Sequence, residues 1–342
     1  MLERFYAQLP EFARPDHPLM RYALLRGARR QDRRAQVLRF ILGVLLTLLL
    51  LVPGYQIATD VGRSTLDAAN LIGKLFLVLY WPLVLVQIIA RIFAISSTSG
   101  VIASEVQHGT WDTLKVTTDG AQLALKTRWA AVFYRLRWLL ILLVAARVVF
   151  IVGALIDLTS FQGRYLDLLL SGTTPFGPPN VSNELSVVLG IVTTAMMMTA
   201  SLLMPFTAVA FDAGVGMLLG TVARGRLVGL LGQVILIILR MVVTGLALFI
   251  GAAVLSLGTA RFSLFAPGDN PVGAWIGALF GIGEGDLGLT LLHLPHVQRL
   301  WADIEYGVLV SIALLGYALL QAGLANLLVK WAGRRATKAD TL

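Results

Sequence analysis

Six long apolar blocks alternate with polar segments along the chain. The blocks cover residues 38–58, 71–94, 138–156, 185–222, 227–257 and 306–329. A helix that crosses a bilayer needs about 20 mainly apolar residues, and these blocks meet that length. The every-second-residue alternation that marks a transmembrane barrel strand is absent. The pattern therefore predicts an all-α polytopic membrane protein with six transmembrane helices, preceded by a segment 1–37 and followed by a tail 330–342.

The composition agrees with this architecture. Hydrophobic residues make up 57% of the chain. Charged residues make up only 14%, against about 25% in an ordinary soluble domain. The mean hydropathy of +0.79 indicates the same class of protein. A single water-soluble domain is excluded, and residues 38–329 are predicted to form one six-span transmembrane domain.

Lys and Arg are concentrated on one side of the predicted spans. The N-terminal segment, the connections between spans two and three and between spans four and five, and the tail hold 21 of the 28 basic residues, with Arg91 assigned to the first of those connections. Basic residues next to spans stay in the cytoplasm, so both termini are predicted to be cytoplasmic in a multi-pass plasma (inner) membrane protein. Anionic membrane lipids, and not nucleic acid, are the partners that this placement predicts.

The chain carries few residues of the kinds that catalysis, ATP binding or metal ligation requires. It has no cysteine, which excludes thiolate nucleophiles and cysteine metal sites. No G-x-x-x-x-G-K-[ST] loop is present, so the chain is not expected to bind ATP itself. His293 and His296 are expected to lie in an ordinary outer loop, because a metal site needs three or four converging ligands. We therefore expect no catalytic residue, cofactor or metal in this chain.

The connection between spans two and three predicts a short capped helix. Thr110 is a good N-cap, and Asp112 falls in the first turn, where the helix dipole favours an anion. Trp111 and Leu114 are three residues apart and share one face of this helix. Such a helix could dock onto a cytoplasmic partner or lie on the lipid surface, and the residues alone favour neither.

The same connection resembles the intracellular loop of type-2 ATP-binding-cassette (ABC) exporter permeases. The family pattern is roughly E-x-E-x-G-T-hydrophobic-E/D-x-L-x-x-T-P-x-S, with a lysine further on. The matching positions are Glu105, Gly109, Thr110, Trp111, Asp112, Leu114, Thr117 and Lys126. Gln107, Thr118 and the pair Asp119–Gly120 depart from the pattern. The segments His17–Arg30 and Gly214–Arg224 are also similar to family segments, and small residues at the spacing of the latter allow close helix packing.

The resemblance implies a permease subunit that pairs with a second copy or a sister permease. Its loop between spans two and three would form a coupling helix on a separate nucleotide-binding ATPase, which would bind ATP and magnesium. An amphipathic connecting helix within Arg14–Arg34 would lie on the inner leaflet. Residues 21–36 fit such a helix, although their arginines could serve only to set topology. The ATPase contacts implied are Glu105, Gly109, Thr110, Trp111, Asp112 and Leu114.

Three charged residues are assigned to the interior of the predicted spans, away from their edges, namely Arg147, Asp212 and Arg240. Counting residues from the inner edges of the blocks puts Arg147 and Asp212 at a similar depth, about 15–18 Å into the membrane. Asp212 is therefore predicted to pair with Arg147, or failing that with Arg240. Such a pair could fix helix register, or the arginines could line a path for an anionic or amphiphilic substrate.

An alternative function is an ion- or proton-coupled secondary carrier that uses Asp212. Against it stands the prediction of a single intramembrane acidic residue, because Glu284 and Asp286 are assigned to the outer loop 258–305. The apolar patch 271–280 in that loop is too short to cross a bilayer and is expected to pack in a re-entrant or interfacial way.

Overall fold

The computed structural model describes residues 8–28, 71–100, 120–160, 183–222, 226–261, 279–292 and 304–338, and within these ranges the protein is helical. A 3-10 turn at Glu11–Ala13 precedes the first helix, and a π-helix at Gly281–Asp286 and a 3-10 turn at Thr290–Leu292 lie before the last helix. The longer helices are α1 (Pro18–Ala28), α2 (Leu71–Ser99), α3 (Gly120–Ser160), α4 (Asn183–Val222), α5 (Arg226–Arg261) and α6 (Ile304–Lys338).

Helices α2 to α6 are each long and apolar enough to cross a membrane. The stretches that meet this description are Val78–Ser99, Gln122–Leu155, Val188–Val222, Val228–Ile250 and Gly307–Ala336. They coincide with predicted spans two to six, so a helical polytopic membrane protein is confirmed. The first predicted span, 38–58, lies outside the described residues, and so do the proposed ATPase contacts between Glu105 and Leu114.

Helix α4 lies at the centre of the bundle and packs against α2, α3 and α6. Small residues allow this packing. A Cβ atom built on Gly216 would lie 2.8 Å from the carbonyl oxygen of Ile95, and one built on Gly220 would lie 2.7 Å from that of Ser99. The prediction that the small residues of this stretch serve close helix packing is therefore confirmed. Block 185–222 forms one continuous helix through Pro205, so the chain does not turn back at that proline.

Four helix ends meet at one end of the bundle, which we call the basic end. The last turn of α2 contacts α4 through Gly220, and Leu125 of α3 clusters with Met217 of α4 and Val329 of α6. The basic residues along these ends of α3 and α6 are Lys126, Arg128, Arg135, Arg137, Lys330, Arg334 and Arg335. We call the opposite end the far end.

Helix α1 packs on α3 near the basic end. Met20 and Ala23 are fully buried against Ala130 and Ala131, and a guanidinium nitrogen of Arg135 donates to the carbonyl oxygen of Ala23 at 2.9 Å. This helix begins before the predicted 21–36 segment, and its buried face lies on protein. Residues 29–36 lie outside the described part of the chain.

Residues 281–292 enter the bundle from the far end, and we call them the re-entrant turn. A Cβ atom built on Gly285 would lie 2.9 Å from the backbone nitrogen of Leu248 in α5, and one built on Gly283 would lie 3.1 Å from the ring of Tyr317 in α6. Glycines thus let the turn approach both helices. Of the apolar patch 271–280, only Leu279 and Phe280 are described, but the residues that follow it pack inside the bundle.

Candidate functional site

Among the described residues, six charged side chains lie inside the helix bundle. Three are basic and three are acidic, and the structure places them on α2, α3, α4, α5 and the re-entrant turn. All but one are at most 4% exposed, and the side chain of the remaining one, Arg240, is 15% exposed. They are Arg91, Arg147, Asp212, Arg240, Glu284 and Asp286.

Four of these residues form a closed ring of ion pairs, which we call the central cluster. Asp212 accepts Nε of Arg91 at 2.7 Å on one oxygen and faces Nε of Arg240 at 2.8 Å with the other. Glu284 Oε1 pairs with Arg240 Nη1 at 2.7 Å and also with Arg91 Nη2. Each arginine bridges both carboxylates, so the cluster is neutral. A buried charge is tolerated when it is matched and hydrogen-bonded in this way.

A chain of hydroxyl and amide groups extends the central cluster to α6. The hydroxyl of Tyr317 donates to Glu284 Oε2 at 2.6 Å, and Gln321 Nε2 donates to the Tyr317 hydroxyl at 3.0 Å. Thr207 of α4 donates to Gln321 Oε1 at 2.9 Å. Arg91 also donates to the backbone carbonyl of Glu284 at 2.9 Å. The carboxylate of Glu284 is thereby held by side chains of α2, α5 and α6 together.

Arg147 forms a different kind of site, toward the far end of the bundle. Its Nη1 donates to the carbonyl oxygen of Leu287 at 2.9 Å, to Ser201 Oγ at 3.0 Å and also to the Ser201 carbonyl. Its Nη2 donates to Oε1 of Gln87. Its Nε is buried without a hydrogen-bond partner. Among the described residues, no carboxylate forms an ion pair with this fully buried guanidinium.

A proline explains one of these contacts. Pro205 lies inside α4, and a proline has no N–H to donate to the carbonyl four residues earlier. The carbonyl of Ser201 is therefore free of the helix ladder, and Arg147 occupies it. Pro205 is the sequence signal that points to a donor at this position.

The second carboxylate of the re-entrant turn, that of Asp286, accepts hydrogen bonds from the backbone of the turn itself. Asp286 Oδ1 accepts the backbone N–H of Gly288 at 3.0 Å, and Oδ2 accepts that of Thr290 at 2.9 Å. Leu287, between Asp286 and Gly288, has a φ of 54°, which is in the left-handed region that bulky side chains rarely adopt. Gln87 donates to the carbonyl of Asp286 at 3.3 Å. Irregular backbone at membrane depth persists only when surrounding protein satisfies it, and side chains of α2, α3 and α4 do so here.

The predicted pairing of Asp212 with Arg147 is corrected by these contacts. The structure pairs Asp212 with Arg240, the second of the two predicted partners, and with Arg91. Arg147 instead hydrogen-bonds Ser201. Ser201 precedes Asp212 by 11 residues on α4, about 16 Å along the helix, so Arg147 lies too far toward the far end to pair with Asp212.

Three residues of the site were assigned to the wrong regions by sequence reasoning. Arg91 was counted with the cytoplasmic connection, but α2 continues to Ser99 and carries Arg91 inside the bundle. Glu284 and Asp286 were assigned to the outer loop, but both are buried in the bundle. Gln87 and Arg91, four residues apart in an apolar block, were the available signal of a polar helix face.

The described residues include no group of three or more His, Cys, Asp or Glu side chains that could hold a metal ion. His293 and His296 lie outside the described part of the chain. The site instead offers guanidinium donors, carboxylates and hydroxyls in a largely apolar bundle. Such a set can bind or exchange charged groups, and among these residues we find no nucleophile paired with a general base.

Comparisons with protein-family models, with curated proteins and with solved structures found no match to this chain.

Proposed function

We propose that this chain is the transmembrane permease subunit of an ATP-driven ABC transporter, an exporter of the plasma membrane. A separate nucleotide-binding subunit binds ATP and magnesium, and a second permease copy or a sister permease completes the transporter. The observation that carries the proposal is the position of the two helix ends that flank residues 101–119, the segment that resembles the coupling loop and that we call the coupling segment. Ser99 and Gly120, which flank residues 101–119, lie at helix ends that meet at the basic end.

The charge of the basic end supports its assignment to the cytoplasm, because basic residues next to spans are retained there. The positions of α1 and of the start of α2 also support six spans with both termini in the cytoplasm. Helix α1 packs near the basic end, whereas α2 begins at the far end. The chain between residues 28 and 71 thus has to pass from one end of the bundle to the other, and the first span is predicted there, at 38–58.

Helix α3 supports a mechanical link between the partner ATPase and the site. It has 41 residues, which corresponds to about 62 Å, twice the thickness of a hydrocarbon core. The helix follows the coupling segment directly, contacts α1 near the basic end, and carries Arg147 toward the far end. A displacement of the coupling segment is expected to move one end of this rod and to shift Arg147, 27 residues beyond Gly120, against Ser201.

The test is co-purification from native membranes in mild detergent, with magnesium-dependent ATP hydrolysis of the purified sample as the readout. We expect hydrolysis with the wild-type chain and its loss with Glu105→Arg or Trp111→Asp. Glu11→Arg is the matched control, since it reverses an exposed charge of the N-terminal segment beside α1 and should retain hydrolysis. A sample without ATPase activity, or one unaffected by Glu105→Arg, would contradict the proposal.

A second candidate, an ion- or proton-coupled carrier, is favoured by the buried carboxylates. Sequence reasoning counted Asp212 as the single intramembrane acid, but Glu284 and Asp286 are also buried among the spans. Carriers commonly use such acidic groups as relays. Efflux of a fluorescent anionic lipid analogue separates the two functions. A carrier continues after ATP depletion and stops when the proton gradient is collapsed, whereas an ATP-driven permease does the opposite.

A further inference from the structure

We propose that Arg147 binds an anionic group of the cargo, a carboxylate or phosphate on an amphiphile, and that the re-entrant turn occupies this site when cargo is absent. The inference rests on the proposed function in transport. It assigns a ligand class to a residue that neither the central cluster nor the coupling segment involves.

The first observation is the mismatch between Arg147 and its partners. Arg91 and Arg240 both contact two carboxylates. Arg147 is fully buried, but its hydrogen bonds go to two backbone carbonyls, a hydroxyl and an amide. Its Nε has no hydrogen-bond partner, which is also true of Nε and Nη2 of Arg240, but Arg240 faces two carboxylates and Arg147 pairs with none among the described residues. A guanidinium presents five N–H donors in a planar fork that fits carboxylate or phosphate with two parallel bonds. The described residues around Arg147 do not supply that partner.

The second observation is the irregular backbone of the turn. Its contact with Arg147 is a single backbone carbonyl, that of Leu287. Leu287 has a positive φ, and the preceding residues Gly281–Asp286 form a π-helix. Strained backbone and π-helical turns occur preferentially at functional sites, where surrounding contacts hold them in place. Withdrawal of the turn removes the Leu287 carbonyl from Nη1 of Arg147, which keeps its contacts with Ser201, and opens one donor direction to an anion. It also breaks the ion pairs of Glu284 with Arg91 and Arg240, so the anion has to offset that loss.

The third observation is the balance of charge. With the turn in place, three buried arginines face three buried carboxylates. Two of those carboxylates, Glu284 and Asp286, belong to the turn. When the turn withdraws, three arginines remain with Asp212 alone, and the vacated space becomes strongly positive. The carboxylates of the turn thus act as tethered counter-ions that the anionic group of the cargo replaces.

The surroundings of Arg147 indicate an amphiphile. The cluster that includes Leu287 also contains Met197, Met204 and Ile282, and the Met204 sulphur lies 3.0 Å from a Cβ atom built on Gly288. Flexible Met side chains fill irregular space and repack easily. After the turn leaves, Met197 and Met204 of α4 remain and can surround an apolar chain next to the guanidinium.

The first test measures binding to the full-length protein in nanodiscs of phosphatidylcholine. Dioctanoyl phosphatidate is compared with dioctanoyl phosphatidylcholine, which differs in headgroup charge. We expect the anionic lipid to bind at least about tenfold more tightly, and we expect Arg147→Gln to remove this preference while Arg147→Lys keeps part of it. Arg137→Gln is the control, because Arg137 is an exposed arginine on the same helix. A preference that Arg147→Gln leaves intact would overturn the proposal.

Competition by inorganic phosphate distinguishes the source of the anion. If phosphate displaces the anionic lipid from the wild-type protein and not from Arg147→Gln, the site recognises the free anionic group. If only the lipid binds, the acyl chains are part of the ligand. Phosphate that competes equally in both proteins indicates surface binding and contradicts the site.

A second test does not depend on the stability of Arg147 variants. The chain has no native cysteine, and a Cβ atom built on Gly288 lies 3.7 Å from Cβ of Ser201, a distance that suits a disulfide. In Ser201→Cys/Gly288→Cys, oxidation by copper phenanthroline locks the turn against α4. Ser201 contacts Arg147 and Gly288 has a φ of +76°, so the reduced double variant, and not the wild-type protein, is the reference. We expect the oxidised protein to bind the anionic lipid more weakly than the same sample after reduction. Equal binding in both states would overturn the proposal.

These assays need no ATPase, so their failure is distinct from failure of the proposed function. If anionic lipid binds through Arg147 but no ATPase co-purifies with the chain, the site belongs to a carrier and the proposed ABC function is wrong. A co-purified ATPase without such binding would leave a permease whose cargo binds elsewhere.

Discussion

At the residue scale, the central cluster loses its neutrality when any single one of its four charged side chains is removed. Arg91 and Arg240 share Asp212 and Glu284. Removal of one member leaves an uncompensated charge in a low-dielectric bundle, which is more costly than the loss of a surface ion pair. Two predictions follow from this coupling.

Asp212→Ala is expected to lower the free energy of unfolding by about 3–5 kcal/mol, because two arginines then depend on Glu284 alone. Unfolding in sodium dodecyl sulphate, followed by circular dichroism, measures the change. Asp16→Ala is the control, since Asp16 forms an exposed pair with Arg21 at 3.3 Å and should leave stability unchanged. A fully stable Asp212→Ala protein would contradict the structure of the cluster.

Removing one charge of each sign should be less harmful than removing one alone. The double variant Asp212→Leu/Arg240→Leu leaves Arg91 paired with Glu284, so its stability should exceed that expected from adding the two single variants, by about 1–3 kcal/mol. Arg137→Leu combined with Asp212→Leu is the control, because Arg137 lies outside the cluster. Additive effects for the first pair would mean that Arg240 and Asp212 are not coupled.

At the element scale, the glycines of α4 set its distance from α2. The backbone of Ile95 and Ser99 lies closer to Gly216 and Gly220 than a side chain allows, so the two helices have no room to accommodate a larger residue. Overpacking of this kind costs about 1–3 kcal/mol where flexible side chains can adjust, and backbone cannot adjust in that way.

Gly220→Val should therefore destabilise the protein by at least about 2 kcal/mol, as measured by detergent unfolding. Gly323→Val in α6 is the matched control. Gly323 has open space around it, so its substitution adds a side chain to an apolar helix without a clash. Equal stability of the two variants would show that α2 and α4 do not meet at Gly220.

The same scale shows what the sequence could and could not reveal. Hydrophobic blocks identified α2 to α6, because a bilayer crossing demands continuous apolar sequence. They placed the start of the third span at 138, whereas α3 begins at Gly120, since the part of a helix beyond the hydrocarbon core has no such demand. Arg91 and Glu284 were misplaced because their partners are distant in sequence, and a charge that is paired only in the fold looks like a loop charge. Asp212 and Arg240 were correctly predicted to lie within spans, because both are at least ten residues from the nearest end of their apolar blocks.

At the scale of the whole molecule, the orientation in the membrane is directly testable. The chain lacks cysteine, so Glu11→Cys and Lys330→Cys each provide one reactive thiol at an exposed position in the N-terminal segment and near the end of α6. If the basic end is cytoplasmic, a membrane-impermeant maleimide should label both thiols in inverted vesicles and neither in intact cells. Labelling of either one in intact cells would contradict both termini being cytoplasmic.

The re-entrant turn also has a consequence for biosynthesis. A ribosome makes the chain from its N-terminus, so the helices that carry Arg91, Arg147 and Arg240 are translated before Glu284 and Asp286. Until the turn emerges, Asp212 is the one buried acid available to three arginines in the part of the chain described here. Charges held in lipid without partners are costly. The nascent helices are thus expected to stay beside the insertion machinery, and the bundle closes only when the turn and α6 arrive.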